Sequence, residues 1–127
     1  WFRQRLELEP TLLWALRWGF LLTFVGSLVG GFMAAKVGAH SVGVADGGAG
    51  LPFVNWSTKG GDLRIAHFVG LHGMQILPLL GFAVLRRERE SENKSFTTWI
   101  HAAAFAYGAV MTGLYVWALL GRPLLAM

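Results

Sequence analysis

The sequence predicts an all-α, polytopic membrane protein with three transmembrane helices, at about residues 11–35, 63–86 and 96–120, and a Gly-rich outer loop between the first two. Three observations predict it. Of 127 residues, 54% are hydrophobic and only 14% charged, against about a quarter charged in an average soluble domain. The mean hydropathy is +0.50. No charged residue occurs from Trp18 to Ala35, from Ile65 to Leu85, or from Ser95 to Gly121. Each run reaches the ~18–20 residues that cross about 30 Å of hydrocarbon at about 1.5 Å per residue. Each is apolar around its whole circumference, which a soluble bundle of this size has no means to bury.

The chain opens with WFRQRLELEP, without a methionine. We expect residues 1–127 to form a single membrane domain within a longer polypeptide. In the first helix Gly19, Thr23, Gly26, Ser27 and Gly30 fall at spacings of three and four, which puts them on one face. Small faces let membrane helices approach closely. Arg17 lies near the start of this helix, where it can snorkel to the headgroups.

The loop over 36–62 is rich in Gly but carries Leu51, Phe53, Val54 and Trp56. A solvated linker avoids such a cluster, so the loop should fold back onto the membrane surface or against a partner. Its ADGGAG stretch is no phosphate loop, because no Gly-Lys-Ser/Thr follows it.

The second helix has Gly70, Gly73 and Gly81, with Pro78 near its middle. Proline removes one backbone hydrogen bond and kinks the helix, so the freed carbonyl of Met74 needs a partner on a neighbouring helix. The RRERESE stretch that follows reads as a solvated, salt-bridged helix end. In the third helix His101, Ala104, Gly108 and Thr112 share a face. The first and third helices therefore look built for tight contact.

Topology follows from the basic residues. Arg3, Arg5 and Arg17 flank the first helix, and Arg86, Arg87, Arg89 and Lys94 lie between the second and third. The positive-inside rule places these clusters in the cytoplasm. The N-terminus is then cytoplasmic and the C-terminus outside. The basic residues sit at helix ends, so topology explains the net charge of +4 better than nucleic acid does. The expected partners are the lipid bilayer and other membrane helices or protein subunits, with no nucleic acid. With no cysteine, thiol catalysis and thiolate metal sites are excluded.

Ionisable residues within a span are candidate functional groups. Here they are His67, His72 and His101, accompanied by Arg64, Gln75, Thr23, Ser27 and Thr112. Four roles compete. In the first, the histidines ligate haem or a (bacterio)chlorophyll-type pigment through a ring nitrogen. By helix rise His72 lies about 10 Å below the outer edge and His101 about 24 Å, too far apart for one iron. His67 and His72 point about 140° apart on their helix. A bis-histidine haem within this chain is disfavoured, whereas single-histidine ligation stays open.

In the second role, His40, Asp46, Asp62 and His67 converge on a metal at the outer face, although no short ligand spacing supports this. In the third, Arg64, His67, His72 and Gln75 line a proton or solute path. The fourth is structural and has the most weight: His72 and Gln75 bond across to Thr23, Ser27 or Thr112, while His67 and His101 meet headgroups or water.

Residues 50–81, GLPFVNWSTKGGDLRIAHFVGLHGMQILPLLG, and residues 38–48, GAHSVGVADGG, carry a resemblance. The pattern GLPFVNWSTxGGDLRxAHFxGLHxxQ resembles the C-terminal half of a family of uncharacterised bacterial integral membrane proteins. The likeness covers about residues 11–90. It implies further membrane helices upstream and a bacterial inner (plasma) membrane, and supports the fold and topology; it implies no activity. That family's loop usually has a proline within the stretch that reads VGVADGGAGLP here, where Ala45 and Ala49 occupy the flexible part. The function expected is a non-catalytic membrane subunit packing against other helices in a larger complex. The alternatives are a haem- or pigment-binding membrane protein and a small transporter.

Overall fold

The structure, a computed structural model, describes residues 8–35, 39–90 and 96–126. Arg3, Arg5, Lys36 and Lys94 lie outside the described residues. The elements run α1 (Pro10–Ala35), β1 (Ser41–Val42), β2 (Gly61–Asp62), α2 (Leu63–Glu90) and α3 (Thr97–Leu119). All three helices are long and apolar enough to cross a membrane. The all-α membrane architecture expected from the charge-free runs is what the chain adopts. α2 extends four residues past its expected end at 86, carrying the arginine cluster on helix.

α1 begins at Pro10, where a fixed φ and a missing N–H cost nothing. Its glycine face meets α2, and this corrects the expected pairing of α1 with α3. A Cβ built on Gly26 would lie 2.6 Å from Gly70 Cα, and one built on Gly81 would lie 2.5 Å from Ala15 Cβ. α2 remains one helix through Pro78. The proline ring packs opposite Gly19, 3.3 Å from where a Cβ there would sit.

Thr23 reaches α2 as well, though not at the expected carbonyl. Its Oγ1 accepts from the Met74 N–H at 3.0 Å and lies 3.3 Å from the Gly70 and Leu71 carbonyls, to which it can donate. The hydroxyl thus enters the α2 backbone ladder one turn before the gap left by Pro78.

α3 crosses the pair through larger side chains. Ala104 packs with Leu22 and Leu77 in a buried cluster flanked by Trp18 and Tyr107. The Tyr107 hydroxyl donates to the Val69 carbonyl on α2. At the arginine end of the bundle, Glu88 departs from the solvated role expected of its stretch. Its Oε1 accepts from Thr11 at 2.8 Å and from the Phe96 N–H at 3.2 Å, tying all three helices together.

At the opposite end the segment 39–62 forms a cap. β1 and β2 pair antiparallel, Ser41 with Asp62 and Val42 with Gly61. A bridge between Gly50 and Ser57 closes a second turn. The cap folds over the helix ends of its own chain, where Val42 packs on Val29, Leu63 and Ala118. β2 lies so close to α3 that a Cβ on Gly61 would overlap the Ala118 carbonyl.

Candidate functional site

Each intramembrane histidine is held by a backbone or ring partner, and those partners fix its tautomer. The His72 Nδ1 lies 2.8 Å from the Phe68 carbonyl, four residues back on the same helix. A carbonyl only accepts, so Nδ1 carries the proton, and in the neutral ring Nε2 carries a bare lone pair. The His67 Nδ1 likewise donates, at 2.8 Å, to the Gly26 carbonyl on α1. The His101 Nδ1 instead accepts the indole N–H of Trp18 at 2.8 Å. That leaves its Nε2 protonated and its lone pair used.

Their surroundings differ too. His67 is wedged between α1 and α2, with its ring atoms within 2.6–3.3 Å of where a Gly30 Cβ would sit. His101 stands against Trp14, with ring centroids 4.9 Å apart, and against Trp18 at 6.1 Å. Within the protein, His67 therefore meets α1 backbone and His101 meets two α1 indoles. Their contacts on α1, at Gly26 and Trp18, are eight residues apart, about 12 Å along the axis. The histidines thus occupy opposite halves of the bundle.

His72 and Gln75 do not bond across to Thr23, Ser27 or Thr112. Ser27 donates to the Thr23 carbonyl of its own helix at 2.9 Å. Thr112 is exposed on α3. Gln75 is exposed on α2, and the amide orientation that suits its surroundings has its nitrogen donating to the Leu71 and His72 carbonyls, at 3.0 and 3.2 Å. Its Oε1 is then the atom left facing outward. His72 Nε2 has no hydrogen-bond partner among the described residues. The ring of His72 lies 4.1 Å from that of Phe68, and Trp56 of the cap meets Phe68 edge-on at 5.7 Å. One face of α2 therefore carries two acceptors beside an aromatic pair.

The cap gathers His40, Asp46, Asp62 and Arg64. Asp62 is buried. It accepts from the Ser57 and Arg64 backbone N–H groups at 2.9 and 3.0 Å, and from the Arg64 guanidinium at 3.0 and 2.6 Å. Burial pushes its carboxyl up, but Arg64 and these N–H groups outweigh that and hold it below the usual aspartate range. Arg64 also donates to the Asn55 carbonyl at 2.5 Å. Asp46 accepts from the His40 and Ser41 N–H groups at 3.1 and 2.8 Å. Hydrogen bonding from Ser41 is the main cause that lowers its carboxyl.

The His40 Nδ1 stands 3.4 Å from Asp46 and 3.7 Å from Asp62. His67 does not join them, and Arg64 occupies the Asp62 carboxylate. Among the described residues no group of three or more His, Asp or Glu is arranged to hold a metal ion. The cluster is a polar lock for the cap, and Arg64 belongs to it rather than to a path through the bundle.

Several supporting residues escaped the sequence reading. Trp18 pairs with His101 across 83 positions, and Glu88 joins three helices. Nothing in local spacing shows such pairings. The GGDLR run did hold a signal: an acid two residues before an arginine at a helix start can fold back as an ion pair.

No family model, curated protein or solved structure matches this chain.

Proposed function

We propose that this chain is a non-catalytic integral membrane unit that packs the His72–Gln75 face of α2 against other membrane helices in a larger assembly. The observation that carries this is the pair of outward acceptors in an apolar span. Polar groups within membrane helices face the bundle interior or a partner, because hydrocarbon offers them no donor. Leaving such a group unpaired costs about 1–3 kcal/mol. A helix or bound group covering this face removes that cost.

The resemblance to the C-terminal half of a bacterial membrane-protein family supports the same reading, since it implies neighbouring helices. In this proposal the arginine end of the bundle is cytoplasmic, the cap lies outside, and the membrane is a bacterial inner membrane. The test is a photoreactive residue placed at Leu79, one turn beyond Gln75, and at Val110 on α3, which are 68% and 58% exposed. Irradiation in native membranes should give protein adducts from Leu79 and lipid adducts from Val110. Lipid adducts alone from Leu79 would overturn the proposal.

A further inference from the structure

We propose that His72 is the axial ligand of a metallo-tetrapyrrole seated on the outward face of α2. The inference rests on the reading of this face as covered, and it names what lies directly against the helix.

Fixing Nδ1–H on the Phe68 carbonyl sets both the tautomer and the ring orientation of His72, so Nε2 presents its electron pair away from the helix. Metal-bound histidines are held this way, with the second ring nitrogen donating to a carbonyl or carboxylate. Of the three intramembrane histidines, only His72 combines a bare Nε2 with a ring hydrogen bond that is exposed rather than part-buried. The Nε2 of His67 is packed near Gly30, and the Nδ1 lone pair of His101 is taken by Trp18.

The number of ligands decides the kind of metal. A free ion needs several protein donors, and no such group exists among the described residues. A tetrapyrrole brings its own four nitrogens and asks the protein for one. It is flat and apolar, and it reaches a lipid-facing site through the bilayer. Phe68 and Trp56 supply aromatic surface beside the ligand position.

A second copy of the chain is a poor occupant for the same face. His72 Nε2 and Gln75 Oε1 are both acceptors, so a symmetric pairing of these faces supplies neither with a donor.

The test uses the full chain reconstituted in lipid nanodiscs, titrated with iron protoporphyrin IX and, separately, with zinc protoporphyrin IX. The expected result is a red-shifted Soret band that saturates at one porphyrin per chain. Loss of an outer-shell partner alone weakens metal sites about 10–100-fold, so His72→Ala should weaken binding by more than about tenfold. His67→Ala and His101→Ala should leave the band unchanged. His72→Gly with added imidazole should restore it, which separates loss of the ligand from loss of the fold.

A titration without a saturating Soret shift, or an equal shift in His72→Ala, overturns the assignment. If that occurs while Leu79 still gives protein adducts, a helix covers the face and only this inference fails. Lipid adducts alone from Leu79 sink the underlying reading as well.

Discussion

Replacing Gly26 by alanine should loosen the α1–α2 pair, and the structure gives the size of the effect. The new Cβ would lie 2.6 Å from Gly70 Cα and 2.8 Å from its carbonyl carbon, whereas carbon atoms pack at about 3.5–4.0 Å. The helices must separate by about 1 Å at this point. Such overpacking costs about 1–3 kcal/mol. The separation also stretches the 3.0 Å bond from Met74 N–H to Thr23, and a membrane hydrogen bond is worth about 0.6 kcal/mol on average. We expect a loss of about 2–3 kcal/mol in total. Gly31 provides the control, because a Cβ there meets nothing within 4 Å. Gly31→Ala should be neutral, or stabilising by up to about 1 kcal/mol through helix propensity. The assay is equilibrium unfolding in mixed micelles, by SDS titration followed by circular dichroism. Gly70→Ala should resemble Gly26→Ala, and the double variant should cost less than the sum, since one widened gap accommodates both methyl groups. Equal unfolding midpoints for Gly26→Ala and Gly31→Ala would refute the close approach.

Three further outcomes follow from the polar contacts. The Asp62 carboxyl is held below its usual range, so its contribution is complete above the unfolded value of about 3.9 and disappears as pH falls through the lower folded value. The protection factors of the Thr58 and Leu63 amides, that is, exchange relative to the intrinsic rate at each pH, should therefore stay high at neutral pH and fall only in strong acid, whereas Asp62→Asn should lower them at neutral pH already. Because Arg64 is part-exposed, we discount the usual cost of orphaning a buried charge to about 2–3 kcal/mol for that variant, read by the same unfolding titration. Glu88→Ala removes acceptors from Thr11 and from the Phe96 N–H, and should cost about 1–3 kcal/mol, with proteolysis increasing first at the junction of α2 and α3. Trp18→Phe should free the His101 Nδ1 at a cost of about 1 kcal/mol, visible as a shift of that ring nitrogen in the ¹⁵N spectrum; an unchanged signal would contradict the bond.

Where the charges are missing, the sequence told most of what the fold contains. Runs of hydrocarbon-compatible residues have one stable backbone form in lipid, so the helices and their approximate ends were legible. Which helix pairs with which was not. The stripe from Gly19 to Gly30 marked a close contact but not its recipient, and α2, with Gly70, Gly73 and Gly81, received it. The cap was legible only as a loop too apolar to be a linker. Its hairpin pairs β1 with β2 across about twenty positions, and no local period encodes such a pairing. For the histidines, approximate depth was legible but orientation was not. The ring hydrogen bonds that separate His72 from His67 and His101 depend on where other backbones pass.

The contact between Gly61 and the Ala118 carbonyl carries a consequence for assembly. The cap joins α1 to α2, yet one of its walls is the far end of α3, which is made after both of them. Gly121, in a left-handed turn with φ 72, also stands against Val42 and Gly43. At about 5–20 residues per second a ribosome delivers that wall several seconds after the loop itself. During that interval Val42 and the backbone around Gly61 lack their cover. Closure of the cap therefore reports that α3 has arrived, and this end of the bundle acquires its finished surface only once α1, α2 and α3 are packed together.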